Sequence, residues 1–282
     1  MTLNNRSIAD QTYTLPDGQV IAYYDSGSAS VSADTTQHVI VLLHGFCGSS
    51  AYWGELIPLL SGEGRVIAPD LRGHGLSTAP DQEAYEMGDF ARDLKLLLGH
   101  LNVSTVHLFG HSLGGYVSLA FAESYSEQLD ALGLIHSTAK ADSAAAQANR
   151  DKAAHALKEG GIQPFVEGLV PKLFAPNHKS SMADRVQAMI EAGYETSAAG
   201  AAATALGMKA RPDRTAVLDG LTVPLLLIAG SEDGIILPAN TFTSDGPQVK
   251  QVLLEGCGHM SMVEDPNKLA GELAAFLHFH RV

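Results

Sequence analysis

The stretch LFGHSLGGYVSLAFAE, Leu108 to Glu123, decides the fold. The run that leads into it, Thr105-Val106-His107-Leu108-Phe109, is short and apolar, as a strand requires. The run from Leu113 onward has the apolar spacing of a helix. Ser112 therefore falls at a strand-to-helix corner, inside Gly110-His111-Ser112-Leu113-Gly114. A corner this sharp strains the backbone of its central residue and presses strand and helix together. Side chains two positions away would collide, and glycine at 110 and 114 removes them, with Gly115 extending the clearance. The result lifts a serine hydroxyl clear of the backbone at a helix N-terminus.

Outward from this corner the same alternation repeats. His38–Leu43 (HVIVLL), RVIAPD, LDALGLIH and VPLLLIAG are near-continuous apolar runs, the pattern of parallel strands buried on both faces; VKQVLLEG is a weaker copy. QTYTLPDGQVIAYYDSG reads as two strands joined by a Pro-Asp-Gly turn. Helical patterns cover Tyr52–Leu60, Tyr85–Leu101, Leu113–Ser126 and Asn267–Phe279. Strand and helix in alternation give an α/β class with a mostly parallel sheet flanked by helices. Residues 139–213 break the alternation with Ala-rich and mixed helical patterns and no convincing strand. Phe165, Leu169 and Leu173 form one helical stripe there, and Pro171 should end or kink it. Ligands of open α/β sheets bind beyond the carboxyl ends of the strands, so this insert after the sixth strand reads as a helical lid. The chain divides into an α/β core, 1–138 and 214–282, and a lid, 139–213.

Composition narrows the function. The formal charge is −13, from 18 basic and 31 acidic residues, with no basic stripe, which speaks against a nucleic-acid partner. No apolar run approaches the roughly 20 residues of a membrane span. The segment MTLNNRSIAD lacks the basic and apolar parts of a secretory signal, so the expectation is a cytoplasmic protein. Two cysteines, Cys47 and Cys257, are too few for a disulfide scaffold, and no zinc-ligand spacing or HExxH occurs, so no metal is expected.

A serine hydroxyl at neutral pH needs a base, and the base needs an orienting acid. At this kind of turn the partners follow in the order acid, then histidine. Asp233 stands just beyond a buried strand in LLLIAGSEDGIILP, and His259 stands in the Gly-rich loop of VLLEGCGHMSMVEDP. Both sit past a strand's carboxyl end, the same edge as Ser112. Glu232 is the neighbouring alternative acid; His278 and His280 lie on or after the last helix. The backbone N–H of Leu113 and that of Phe46, in VLLHGFCGSS, are the expected oxyanion donors. His44 and His111 read as structural.

These pieces together resemble the α/β-hydrolase fold family, in its lidded, single-domain, esterase-like branch. The resemblance rests on HGFCGSSAYWGELIPLL, VIAPDLRGHGLST, GHSLGGYVSLAFA, AGSEDGIILP and GCGHMSMVEDP, in the family's order across residues 38 to 280. It implies an eight-stranded sheet whose second strand is antiparallel. It also implies a Ser112–His259–Asp233 triad with Phe46 and Leu113 as oxyanion donors. Asp70–Ser77 would be a structural loop with Asp70 and Arg72 as an ion pair, and Glu264 and Pro266 would start the last helix. Ser112 stands where the family's dehalogenases and epoxide hydrolases carry Asp. Phe46-Cys47-Gly48 stands where its meta-cleavage hydrolases usually show Gly-Pro-Gly.

The expected activity is hydrolysis of a small carboxylic ester through an acyl-enzyme on Ser112, with no cofactor. Trp53, Phe165 and Leu169 are the candidates for an apolar acyl pocket. Lactone opening, acyl-thioester or methyl ester hydrolysis, cofactor-free perhydrolase or haloperoxidase-like chemistry, and a small-molecule receptor with vestigial turnover are the alternatives. Cys47 and Cys257 adjoin the expected donor and base loops and read as two small buried side chains.

Overall fold

The computed structural model describes residues 7–27 and 38–279; His280 and most of the N-terminal segment considered above lie outside them. The eight strands are β1 (Gln11–Thr14), β2 (Val20–Asp25), β3 (His38–Leu43), β4 (Gly64–Pro69), β5 (Val106–His111), β6 (Leu129–Ile135), β7 (Leu225–Gly230) and β8 (Val249–Leu254). They form one sheet in the order β1-β2-β4-β3-β5-β6-β7-β8. β2 is antiparallel to both β1 and β4, and every other pairing is parallel.

The continuous apolar runs follow from burial on both faces. Side chains alternate across a strand. In β3, Ile40 and Leu42 join a cluster with Trp53, Leu273 and Phe276, while Val41 and Leu43 join one with Leu97, Val117 and Phe121. Each such side chain removed from water contributes about 2 kcal/mol. β8 reads weaker because it is the sheet's far edge, and only Leu254 in it is fully buried.

Helices α1 (Met87–His100) and α2 (Leu113–Tyr125) pack together on one face. Between β6 and β7 come α3 (Ala144–Gly160), α4 (Ile162–Leu169), α5 (His178–Ser181), α6 (Ala183–Gly193), α7 (Ala198–Ala210) and α8 (Thr215–Gly220), with no intervening strand. Short α9 (Pro238–Thr241) and α10 (Ser261–Glu264) precede α11 (Pro266–Phe279). α3 and α7 begin on serine caps: Ser143 accepts from the Ala146 N–H and Ser197 from the Gly200 N–H. They pack along each other, and a Cβ on Gly207 of α7 would collide with the Tyr85 carbonyl of the core. α4 ends at Leu169, and Pro171 falls in a following 3₁₀ turn.

Three expectations are corrected. Tyr52–Leu60 is not one helix but two 3₁₀ turns, Ser50–Trp53 and Ile57–Leu60. Pro58, which has no N–H to give to a continuing helix, stands second in the latter turn. Arg72 does not pair with Asp70. Its guanidinium takes Asp93 of α1 in two bonds of 2.7 Å, while Asp70 accepts from the Ser50 and Leu76 N–H groups and ties its own loop to the turn after β3. Glu264 does not start the last helix; it closes α10, and Pro266 alone opens α11.

Candidate active site

Ser112 occupies the corner between β5 and α2 with φ 52° and ψ −110°, a left-handed backbone that costs a residue with a side chain of order 1–3 kcal/mol. The surroundings hold it there. Its N–H donates to the Ile135 carbonyl at 3.0 Å, and its carbonyl accepts from the Gly115 N–H and the Ser137 hydroxyl. A Cβ on Gly110 would run into the Gly114 backbone, and one on Gly114 into the Leu43 carbonyl. The two glycines thus permit a strand–helix approach that no other residue allows.

Asp233 follows β7 and is buried. Its Oδ1 accepts from the Ile235 and Ile236 N–H groups at 2.8 and 3.0 Å, which fixes the carboxylate plane. Its Oδ2 accepts from His259 Nδ1 at 2.8 Å. Burial opposes ionisation of Asp233, and the His259 and His136 rings beside it more than offset this, so the carboxyl is held below the ordinary carboxylate range. Neighbouring Glu232 is exposed, and its N–H donates to the Cys257 carbonyl. With Nδ1–H bound to Asp233, the tautomer of His259 leaves Nε2 as the acceptor.

Ser112 and His259 line one cavity of about 440 Å³, within the range of small-molecule sites. Leu169, Leu173, Phe46 and Met208 give it an apolar wall. No acceptor among the described residues takes the N–H of Phe46 or of Leu113. Trp53 and Phe165 do not line the cavity. Trp53 is fully buried against the His111 ring, and Phe165 backs Phe46 edge-on with ring centroids 5.9 Å apart. His278 lies away from the site and pairs with Glu63 at 3.0 Å.

The two histidines beside the motif glycines hold loops. His44 donates from Nδ1 to the Gly45 carbonyl and accepts at Nε2 from the Leu71 N–H. Burial pushes its pKa down to about 4, so it is neutral. His111 donates from Nε2 to the His259 carbonyl at 2.8 Å, and the two rings lie 4.9 Å apart. Burial drives His111 well below the usual histidine range.

Two further residues were not singled out as site residues by the sequence. His136, at the end of β6 with φ 47°, puts Nδ1 3.3 Å from Asp233 Oδ2 and Nε2 2.7 Å from the Ser261 hydroxyl. Glu264 is buried beneath the histidine loop. It accepts from the Gly258 and Met260 N–H groups on either side of His259, from the Ala175 N–H, and from His178 Nδ1. The only signal for His136 was its place at a strand's carboxyl end. His136, Asp233 and His259 bring three ligand-type atoms within 4.8 Å of one another. Among the three, His259 and Asp233 share a hydrogen bond, both Asp233 oxygens are already engaged, and His136 Nδ1 is a close neighbour of Oδ2. Cys47 and Cys257 are buried, free thiols within one apolar cluster, and burial pushes Cys257 up to about 11.

Residues 38–266 match the alpha/beta hydrolase fold family, and the chain belongs to it. It is 33% identical over 251 residues to the dihydrolipoyllysine-residue acetyltransferase component of the acetoin cleaving system of Pseudomonas putida. That match covers 86% of this chain and 64% of that protein. The chain is also similar to a thermophilic esterase from Thermogutta terrifontis solved with malate bound: TM-score 0.87, 29% identity, 96% of this chain and 100% of that one. The enol-lactonase of Burkholderia xenovorans LB400 shares the fold with a TM-score of 0.84 at 21% identity, over 95% of this chain and 100% of that one. No helix among the described residues is long and apolar enough to cross a membrane.

Proposed function

We propose that the protein is a serine hydrolase of small carboxylic esters working through an acyl-enzyme on Ser112. The observation that carries this reading is the placement of Ser112 and His259 on one cavity, with Asp233 2.8 Å from the far nitrogen of the imidazole. In this reading the Ser112 Oγ attacks the acyl carbon, and His259 Nε2 takes its proton. The Phe46 and Leu113 N–H groups stabilise the oxyanion that develops. His259 then returns the proton to the leaving alcohol. Asp233 holds the ring and stabilises its charged form without being protonated itself, in keeping with a carboxyl held below its ordinary range. Water, activated by the same imidazole, hydrolyses the acyl-enzyme. Segment 139–213 acts as the lid in this reading, since Leu169, Leu173 and Met208 of it roof the cavity. The likeness to the thermophilic esterase supports an acyl ester as the substrate class in this reading, with a lactone as the alternative.

The test is turnover of p-nitrophenyl acetate and butyrate. Ser112→Ala should lower kcat by roughly a thousandfold or more against wild type, measured above the buffer rate. Unchanged turnover in that variant refutes the assignment.

A further inference from the structure

One end of the cavity carries charge that ester cleavage does not use. Lys140, Asp142, Arg150 and Arg211 line it, three cations and one carboxylate, in a chain whose net charge is −13. Asp142 bridges the two arginines: Oδ1 lies 2.7 Å from Arg211 Nη2, and Oδ2 3.0 Å from Arg150 Nε. Burial opposes its ionisation, and the two guanidiniums outweigh burial, so Asp142 is a carboxylate.

The arginines are not equivalent. Arg211 is spent on structure. Its side chain is 4% exposed, it donates to the Met208 and Lys140 carbonyls and to Asp142, and it lies 3.9 Å above the Tyr116 ring. Arg150 is engaged only through Nε among the described residues, and its side chain is 26% exposed on the cavity wall. Lys140 reaches Asn240 Oδ1 at 3.3 Å and lies within the field of exposed Asp213, which offsets part of its charge. Asp142 balances Arg211. The surplus facing the cavity is therefore between one and two positive charges, that of Arg150 and what Asp213 leaves of Lys140, and its planar part is the open edge of the Arg150 guanidinium.

We infer that this end of the cavity is a carboxylate subsite, and that the substrate is an ester or lactone carrying a free carboxylate remote from the bond that is cleaved. This rests on the hydrolase reading above. A single planar monoanion matches one guanidinium edge in two parallel bonds. A dianionic phosphate would bring a second charge close to Asp142. Leu169, Leu173 and Met208 line the same cavity and suit a hydrocarbon spacer between the carboxylate and the ester.

The experiment compares mono-p-nitrophenyl glutarate with p-nitrophenyl valerate, its uncharged counterpart of equal length. Wild type should favour the glutarate in kcat/KM on the order of tenfold, through KM. That preference should shrink as salt is raised from about 0.05 to 0.5 M. In Arg150→Gln the ratio of the two kcat/KM values should fall toward one, and Arg150→Lys should keep part of it. A wild-type ratio at or below one overturns the subsite, as does a ratio that Arg150→Gln leaves unchanged. Calorimetry of free glutarate against Ser112→Ala, with and without Arg150→Gln, separates the two readings. Glutarate binding that depends on Arg150, with neither ester turned over, upholds the subsite and sinks the hydrolase. Valerate turnover without glutarate binding does the reverse. Tighter binding of methyl phosphate than of glutarate overturns the carboxylate assignment.

Discussion

At Ser112 a strained dihedral pair is held by backbone bonds from both sides, and at His259 a glycine-rich loop is held by one buried carboxylate. Glu264 binds the N–H groups at 258 and 260, so the imidazole between them is anchored without being touched. Its fourth partner, the His178 ring of α5, ties the insert to the same loop. Hydrogen bonds to a charged acceptor contribute about 1.5–3 kcal/mol each, and an amide in its place turns an NH₂ donor toward N–H donors. Glu264→Gln should lower stability by about 2–3 kcal/mol in urea unfolding. It should also reduce kcat at least tenfold with little change in KM, because the base rather than the pocket is displaced. Stability within about 0.5 kcal/mol of wild type together with kcat within about twofold would show that the loop holds itself.

At the scale of elements, the sheet was readable wherever burial is two-sided. The run HVIVLL maps onto β3 residue for residue, because each of its faces is covered and both must be apolar. The corner at 110–114 was readable because its constraint is partly local: Gly110 answers a collision between β5 and α2 a few residues apart, while Gly114 makes room for the Leu43 carbonyl of β3. What failed were pairings between elements. Arg72 sits two residues from Asp70, yet its partner is Asp93, one helix later, because the Asp70 oxygens take the N–H of Leu76 in their own loop and that of Ser50 in the turn after β3. His136 carries no local motif, and Glu264 falls in one that marks a helix start rather than a support for His259; their meaning lies in what β7 and the last loop bring to them. The segment 139–213 showed helices but no substrate signature. Its charged residues signify only after folding, when α3 and the end of α7 set Arg150 and Arg211 around Asp142. Trp53 was misjudged for a related reason: a large ring near a donor loop can fill the core behind the cavity wall as readily as the wall itself.

For the whole molecule, the buried histidines set the response to acid. His44 is pushed down to about 4 by burial, and His74 to about 3 by burial and the neighbouring His44 ring; His111 and His136 are lowered as well. In the unfolded chain histidine titrates near about 6.5. Above that value neither state binds the proton, and these groups leave stability flat. Below it the unfolded chain takes protons that the folded chain refuses, so stability falls with falling pH. Each histidine costs about 1.4 kcal/mol per pH unit down to its folded value. Asp233 and Asp142 are lowered and add their own loss only below about pH 4. Urea unfolding at pH 5.0 should therefore show at least about 3 kcal/mol less stability than at pH 7.5. Equal midpoints at the two pH values would mean that these rings accept protons in the folded state.

The central claim is that the residue-112 oxygen is the nucleophile. It is tested most directly by labelling with a fluorophosphonate and mapping the adduct by peptide mass. The account predicts one adduct per chain, on the peptide carrying Ser112, absent in Ser112→Ala and slowed by roughly a thousandfold in His259→Ala. An adduct on another residue, or ester turnover that persists with Ser112 unlabelled, would contradict it.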